Sequence, residues 1–186
     1  MKKKLGIKMC LYPMPCTIIG VIVDGKPNFT TIAHVGIMDY EAISLSVAKI
    51  HHTNKGIKEN RVFSVNMPDV SLYRETDYCG IVSGRKHDKA RIFNVVYGEH
   101  TNAPMIEECP INIECRLQQS VEFPHHDVFI GSLVETYCRE DCLSGDEIDF
   151  SKVQPLLYIA GYYELGKRLS DAWKPGKEIK RQNLDS

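Results

Sequence analysis

Segments of alternating apolar and polar residues recur along the chain, with the period of two that is typical of half-buried β-strands. Residues 43–49 (ISLSVAK) and 62–67 (VFSVNM) follow this pattern. Residues 17–23 (TIIGVIV) are rich in β-branched side chains, and the residues that follow them, DGKPN, favour a tight turn. Extended backbone is also favoured at residues 29–33, 91–97, 111–123 and 126–137. The chain is therefore predicted to contain at least five strands.

Short helices are predicted between the strands. One begins at Thr53 and runs to Asn60, and a second follows Asp69, a good N-cap residue, over residues 70–82. These helices are too short and too few to alternate with every strand, which disfavours a doubly wound parallel sheet. The pattern predicts a mainly β fold, an antiparallel barrel or sandwich with short helical insertions. No repeat or linker divides the 186 residues, as is typical of a single domain.

Charge and hydropathy argue against two classes of partner. The 23 Lys and Arg residues are balanced by 24 Asp and Glu residues, a net charge of -1, whereas proteins of duplex DNA usually carry a basic excess. The longest apolar run, residues 16–23, is far shorter than the ~20 residues that a bilayer requires. The chain starts with basic residues, but Lys8 cuts off any hydrophobic stretch after them, so the start does not resemble a signal peptide. We expect no nucleic acid, no membrane and a cytoplasmic location.

The seven cysteines do not form a recognisable redox or metal motif. Their number is odd and no pair has CxxC spacing, although Cys138 and Cys142 lie four residues apart. We therefore predict that the cysteines are ordinary thiols and that there is no metal site. The alternative is a protein that uses its cysteines for thiol chemistry or for binding a metal. The chain also lacks GxGxxG after a strand, GxxxxGK[ST], GxSxG and HExxH, so no catalytic side chain is predicted.

The junction between a predicted strand and a predicted helix, residues 46–58 (SVAKIHHTNKGIK), combines features of an anion site. A helix N-terminus offers unpaired N–H groups and a partial positive charge. Basic side chains surround this junction, so a phosphate group is the natural ligand. The alternative is a capped surface helix with solvated lysines.

Three further polar stretches are candidates for a binding site. Residues 28–34 (NFTTIAH) follow the tight turn and could present backbone groups to a flat heterocycle, although a polar turn entering a strand is the alternative. Residues 83–89 (SGRKHDK) form either a cationic binding loop or a solvated loop. The sequence His125-His126-Asp127 lacks an identifiable third metal ligand.

Taken in order, several stretches resemble the flavin reductase-like family of FMN-binding split barrels, which includes the flavoredoxins. The resemblance extends from about residue 13 to 176 and depends on order and spacing rather than on one motif. The stretches are NFTTIA (28–33), HHTNKGIKENRVFSVNMP (51–68), DYCGIVSGRKHDKARIF (77–93), APMIEECPINIECRL (103–117), HDVFIGSLVETY (126–137) and KVQPLLYIAGYYELG (152–166).

The resemblance implies one domain with a core of about residues 13–176 and a polar tail at 177–186. It implies a six-stranded antiparallel Greek-key split barrel that forms a homodimer and binds FMN non-covalently near the dimer interface. The implied function is an NAD(P)H-dependent flavin reductase that passes electrons through flavin. The alternative is a flavoredoxin-like FMN electron carrier that a partner redox protein reduces.

The resemblance also implies a set of flavin-binding positions. Many relatives have Arg two residues before the threonine of the phosphate site, whereas this chain has His51, which carries less charge at pH 7. Lys49 or Lys55 is therefore expected to supply the missing charge. The implied residues are Asn28, Thr30, Thr31, Ile32 and Ala33 beside the ring, and Ser46, Val47, Ala48 and Lys49 along the cofactor. Thr53, with Lys49, His52 and Lys55, is expected to hold the phosphate, and Ser83 and Lys89 are expected as further contacts to the cofactor.

Overall fold

The structure, a computed structural model, describes residues 1–177, so the predicted polar tail lies outside the described residues from residue 178 onward. The first strands are β1 (Met14–Pro15), β2 (Thr17–Val23), β3 (Lys26–Ile32), β4 (Val35–Asp39), β5 (Ala42–Ala48), β6 (Val62–Met67) and β7 (Val95–Tyr97). The remaining strands are β8 (Pro104–Ile106), β9 (Ile111–Glu122), β10 (His126–Cys138), β11 (Leu143–Ser144), β12 (Glu147–Ile148), β13 (Leu157–Tyr158) and β14 (Tyr162–Tyr163). The α-helices are α1 (Thr53–Asn60), α2 (Tyr73–Ile81) and α3 (Phe150–Val153), with 3-10 turns at Val70–Leu72, Lys89–Ile92 and Glu140–Cys142.

The main sheet has seven strands in the order β3-β2-β6-β9-β10-β5-β4, and every pairing in it is antiparallel. The mainly β antiparallel architecture is as predicted. Strand β4 adds a seventh strand because the chain turns back after β3 and pairs with the edge of β5. Small sheets accompany it: β1-β13-β14, β7-β8 and β11-β12.

One apolar core lies inside the curved main sheet. It includes Ile19, Leu45, Phe63 and Phe129, which come from four different strands and are all fully buried. The alternation along these strands sends every second side chain to this core. The sheet bends at a register shift between Ile130 and Gly131, where a Cβ atom on the glycine would lie 2.5 Å from the Phe63 ring.

Helix α1 closes the core by packing on β2. Ile57 is fully buried, and a Cβ atom on Gly56 would lie 2.6 Å from the Ile22 carbonyl oxygen, so the glycine permits this close approach. The helix ends at Asn60. Its C-cap residue, Arg61, has φ 57° and its N–H donates to the Ile57 carbonyl. This packing holds the N-terminus of α1 beside β3.

Helix α2 covers the other face of β2 and β3 through a second apolar cluster that contains Ile18, Phe29 and Cys79. Asp69 caps the preceding 3-10 turn by accepting from the Ser71 N–H, as its N-cap role predicts. The predicted strand at 91–97 begins only at Val95, because Asp88 accepts from the Ala90 N–H and starts a 3-10 turn. No helix among residues 1–177 is long and apolar enough to cross a bilayer.

Candidate functional site

Two clefts adjoin on one side of the molecule and share His51 as a common wall. We call the one at the start of α1 the helix cleft; its volume is about 180 Å³. The strand cleft, of about 260 Å³, lies over the ends of β3 and β5. The helix cleft is lined by Asn28, Thr30, Ile50, His51, His52, Thr53, Gly80, Ile81, Val82, Ser83, Gly84 and Lys89. The strand cleft is lined by Cys16, Thr31, Ile32, Ala33, His34, Ser46, Ala48, His51, His126, Tyr158 and Tyr162.

The first turn of α1 presents unpaired donors to the helix cleft. The helix begins at Thr53 as predicted, but its N-cap is His52, which makes no side-chain capping bond. Within residues 1–177, the N–H groups of His52 and Thr53 find no acceptor, as expected for the first turn of a helix. The Thr53 hydroxyl is not a cap; it accepts a hydrogen bond of 3.0 Å from the Asn28 amide.

Asn28 connects three parts of the helix cleft. Its amide nitrogen donates to Thr53, and its amide oxygen faces Gly84 in the loop after α2. A Cβ atom at position 84 would overlap that amide oxygen, so only glycine permits the loop to lie this close. Asn28 is itself buried, so it has little freedom to move away.

Lys89 supplies a buried cation to the same cleft. Only 3% of the residue is exposed, and its ammonium donates to the carbonyl oxygens of Cys79, at 3.0 Å, and Val82, at 3.2 Å. Cations are favoured beside the carbonyls at a helix C-terminus, here that of α2. Burial lowers the pKa of Lys89. An ammonium has three N–H donors, so one remains after these two bonds.

The two histidines before α1 are weak bases in this setting. Burial, followed by the charges of Lys89 and His126, lowers the pKa of His51, whose Nδ1 lies 3.1 Å from the Thr30 hydroxyl. The pKa of His52 is also lowered, first by burial and then by the nearby charge of Arg85. Both imidazoles are therefore neutral at pH 7, and the fixed cation of the cleft is Lys89.

Small side chains and aromatic rings line the strand cleft. Ser46 and Ala48 on β5, and Ala33 just after β3, leave open surface in this cleft. Tyr158 and Tyr162 form another wall, with ring centroids 6.4 Å apart in an edge-to-face arrangement. Neither tyrosine is among the expected flavin-binding positions. They reach the cleft because β13 pairs with β1 and β14 pairs with β13.

His34 and His126 lie on the open side of the strand cleft, with ring centroids 6.2 Å apart. Neither belongs to the flavin-binding positions expected from the sequence. Among the described residues, no group of three or more His, Cys, Asp or Glu side chains is arranged to hold a metal ion.

Most of the positions expected from the sequence lie at these two clefts. The helix cleft collects Asn28, Thr30, His52, Thr53, Ser83 and Lys89, and the strand cleft collects Thr31, Ile32, Ala33, Ser46 and Ala48. The clefts also add His51, Gly84, Tyr158 and Tyr162.

Three of the expected positions line neither cleft. Val47 is fully buried in the core, because it alternates with Ser46 and Ala48 along β5. The Lys49 ammonium lies 3.5 Å from Glu122 and 3.6 Å from Asp127.

Lys55, the third such position, is engaged by two carboxylates. Its ammonium donates to Asp24 and lies 3.9 Å from Glu59. The bond from Lys55 is the main reason that the pKa of Asp24 falls below its ordinary value.

Comparison with known proteins connects this geometry to one family. Residues 9–166 match the family described as flavin reductase like domain. The fold is similar to the crystal structure of flavoredoxin from Methanosarcina acetivorans, with a TM-score of 0.93 and 38% identity, over 96% of this chain and 99% of that one.

Two further structures share the fold. Flavoredoxin of Desulfovibrio vulgaris (Miyazaki F) has a TM-score of 0.89 and 34% identity, over 95% of this chain and 100% of that one. An FMN-binding protein from Thermus thermophilus has a TM-score of 0.78 over 92% of this chain and 97% of that one, and at 22% identity it shows a common fold alone.

Proposed function

The chain belongs to the flavin reductase-like domain family, and we propose that it binds FMN and transfers electrons through it. The observation that carries this proposal is the pair of clefts that share His51. One cleft offers unpaired N–H groups and a cation, and the adjoining cleft offers small side chains and aromatic walls. A flavin mononucleotide has a matching composition, a phosphate at one end and a flat ring system at the other.

The helix cleft fits the phosphate. The N–H groups of His52 and Thr53, the Thr53 hydroxyl hydrogen and the third N–H of Lys89 are donors available there. The Thr53 hydroxyl can donate because it accepts, rather than donates, the bond to Asn28. A phosphate monoester carries about -1.5 to -2 charges at pH 7. Charge-assisted bonds from these groups would hold it at the start of α1.

Other side chains in and around the helix cleft have lesser roles in this proposal. Ser83 and Thr30 complete its walls. Lys49 and Lys55 would reach a phosphate only after leaving their carboxylate partners. Many relatives have an arginine at the position of His51. In this proposal Lys89 supplies the positive charge that the arginine provides in those relatives.

The strand cleft fits the ring. Residues 31–33 would border one edge of it, and Ser46 and Ala48 would lie along it, while Val47 contributes only its backbone. Bound FMN supplies the redox chemistry, since flavin accepts hydride and releases electrons singly or in pairs. The protein orients the ring, bonds its polar edge and leaves one face open to a donor.

NAD(P)H is the electron donor that we propose, so that the protein acts as an NAD(P)H-dependent flavin reductase. A second candidate is a flavoredoxin-like electron carrier that another redox protein reduces, and the 38% and 34% identity to two flavoredoxins favours it. The deciding experiment mixes flavin-loaded protein anaerobically with NADH and with NADPH while the flavin absorbance is followed. Rapid bleaching by either nicotinamide supports the reductase. A flavin that neither NADH nor NADPH bleaches, but that a reduced redox protein does bleach, supports the carrier.

A colourless preparation that cannot be loaded with FMN would contradict the flavin proposal itself. That result would instead support the alternative of a thiol or metal protein.

We also propose that the protein is a homodimer in the cytoplasm. Leu5, Ile7, Met9 and Leu11 expose between 64% and 107% of their surface, and Leu169 and Trp173 near the other end expose 96% and 89%. A dimer interface that covered these exposed apolar side chains would remove them from water. All seven cysteines are free thiols, which agrees with a reducing compartment.

A further inference from the structure

Two isoleucines are exposed at the mouth of the helix cleft. Ile50 lies between β5 and α1 and exposes 79% of its surface, and Ile81, the last residue of α2, exposes 73%. Both line the helix cleft, so they flank the proposed flavin site. Exposed apolar side chains that share one site and have a polar rim are typical of an interaction surface.

The rim on one side of these isoleucines carries uncompensated positive charge. A cavity of about 510 Å³ adjoins the helix cleft there, and its walls include Lys26, Arg85 and Lys86. None of these three exposed cations forms an ion pair with any residue from 1 to 177. The two carboxylates of the same cavity are already engaged, Asp24 by Lys55 and Asp88 by Arg91 at 3.1 Å. The free charge of this rim is therefore cationic.

The loop that carries two of these cations has a defined backbone. The N–H groups of Lys86 and His87 both donate to the Ser83 carbonyl oxygen at 3.0 Å, and the Arg85 N–H donates to the Ser83 hydroxyl at 3.3 Å. Arg85 and Lys86 therefore extend from a preformed turn, which reduces the entropy lost when they bind a partner.

We infer that the surface formed by Ile50, Ile81, Lys26, Arg85 and Lys86, here called the docking surface, binds an acidic redox protein that reduces the flavin. The inference rests on the proposed function, because it requires a bound flavin. A protein on the docking surface would lie over the helix cleft, which shares His51 with the strand cleft proposed for the ring. Each encounter would oxidise one partner molecule by one electron, and two encounters would fully reduce the flavin, with a proton taken from water.

Two physical arguments favour this partner. Charge complementarity requires an acidic surface, and opposite charges accelerate the short encounters through which electron carriers work. Such encounters also bury less surface than stable complexes, so two apolar side chains and three cations suffice. A second copy of this chain is a poor partner here, because a two-fold axis through the docking surface would bring the same cations of both copies together.

The first test measures binding without electron transfer. The FMN-loaded protein is titrated with oxidised plant-type [2Fe–2S] ferredoxin, an acidic electron carrier, by calorimetry at about 10 mM and about 150 mM salt. We expect weaker binding at the higher salt. The triple variant Lys26→Gln/Arg85→Gln/Lys86→Gln should bind roughly tenfold more weakly at low salt, because each exposed ion pair contributes about twofold to fivefold.

Matched variants locate the contact. Lys2→Gln/Lys3→Gln/Lys4→Gln removes the same charge from the exposed N-terminal segment and should change the affinity by less than about twofold. Ile81→Ser should weaken binding at both salt concentrations, because salt does not screen an apolar contact. All of these residues are exposed, so the variants should fold and bind FMN as the wild type does.

The second test follows the electrons. Ferredoxin is reduced, freed of excess reductant and mixed anaerobically with the FMN-loaded protein while the flavin absorbance is recorded. The flavin of the triple variant at positions 26, 85 and 86 should bleach roughly tenfold more slowly than that of the wild type at low salt. The two rates should converge at high salt, where the ion pairs are screened.

Four results would overturn the inference while leaving the FMN proposal in place. They are no binding of ferredoxin to the wild type, binding that does not depend on salt, equal losses in the two triple variants, and conversion of a dimer to a monomer by the variant at positions 26, 85 and 86. The last result would assign the surface to a second copy. If this variant loses bleaching by NADPH and keeps ferredoxin binding, the cations serve a nicotinamide dinucleotide instead. If the wild-type protein cannot be loaded with FMN, the proposed function fails together with the inference.

Discussion

Asn28 and Thr53, 25 positions apart in the chain, are joined by a buried hydrogen bond of 3.0 Å from the amide nitrogen to the hydroxyl oxygen. The bond ties the start of α1 to β3 and leaves the hydroxyl hydrogen free to donate into the helix cleft. It also holds the amide oxygen against Gly84, so that the loop after α2 completes the cleft. A ligand phosphate in this cleft would therefore lie close to the Asn28 amide.

The substitution Asn28→Asp should convert this amide into a repulsive charge at almost unchanged volume. We expect the affinity for FMN to fall roughly tenfold or more. About 1.4 kcal/mol of repulsion between the carboxylate and the phosphate is enough for a tenfold loss of affinity. Riboflavin, which lacks the phosphate, should be affected much less. Titration of both flavins measures the difference. Gln118→Glu adds the same charge on the exposed part of β9 and should leave both affinities unchanged; a parallel loss of riboflavin would argue against a phosphate at this position.

Lys89 and Lys55 should differ in their effect on FMN. Lys89→Met removes the buried cation and leaves the Cys79 and Val82 carbonyls without a donor, so FMN should weaken roughly tenfold. The free energy of unfolding should also fall by about 1–3 kcal/mol. Lys55→Ala should weaken FMN less than threefold, because its ammonium already pairs with Asp24. Flavin titration and urea unfolding of both variants provide the comparison, and a larger FMN loss for Lys55→Ala would show that Lys55 leaves Asp24 for the phosphate.

The unfolding free energy should depend on pH through His51. Burial lowers the pKa of this imidazole from its ordinary value of 6.5, so the unfolded chain binds more protons than the folded chain. The contribution to stability is therefore present above pH 6.5 and is lost progressively as the pH falls below 6.5 through the lowered pKa of His51. The variant His51→Gln should lose less stability than the wild type over this range. Urea unfolding at pH 7.5 and pH 5 measures both slopes, and identical slopes would exclude His51 as the titrating group.

Cys138 and Cys142, both free thiols, should be dispensable for flavin chemistry. Cys138 and Cys142 belong to an apolar cluster with Ile111 and Val153, and neither lines the clefts. The double variant Cys138→Ser/Cys142→Ser should keep the visible spectrum and the reduction rate of the bound flavin. Its stability should fall, because Cys142 is buried. A folded variant with an unreduced flavin would restore the thiol alternative.

The proposed homodimer predicts a sedimenting mass of about twice that of the chain. The exposed apolar residues between Leu5 and Leu11 would be covered in such a dimer. Replacing Ile7 and Met9 by Ser should shift the equilibrium towards the monomer at micromolar concentration. Analytical ultracentrifugation of the wild-type protein and of this variant makes the measurement, and a wild-type monomer would contradict the proposed assembly.

Local sequence patterns were sufficient to predict much of the secondary structure. The strand at residues 17–23 and the helix Thr53–Asn60 have the predicted bounds, because β-branched content and helix-start residues act through neighbouring positions. The antiparallel mainly β class followed from the scarcity of helices between strands. Residues 46–58, a strand-to-helix junction that carries histidines and lysines, are also identified from the sequence as a candidate anion site, and that assignment stays a prediction.

Only the tertiary structure decided which of these side chains share a cleft. Lys55 and Lys89 look alike in the sequence, yet one pairs with Asp24 across 31 positions and the other is buried beside the unpaired N–H groups of α1. Tyr158 reaches the strand cleft through the pairing of β13 with β1. Periodicity and propensity describe interactions between near neighbours, whereas a cleft forms from residues that are distant in sequence. Its composition therefore depends on strand pairing and burial, which no local pattern specifies.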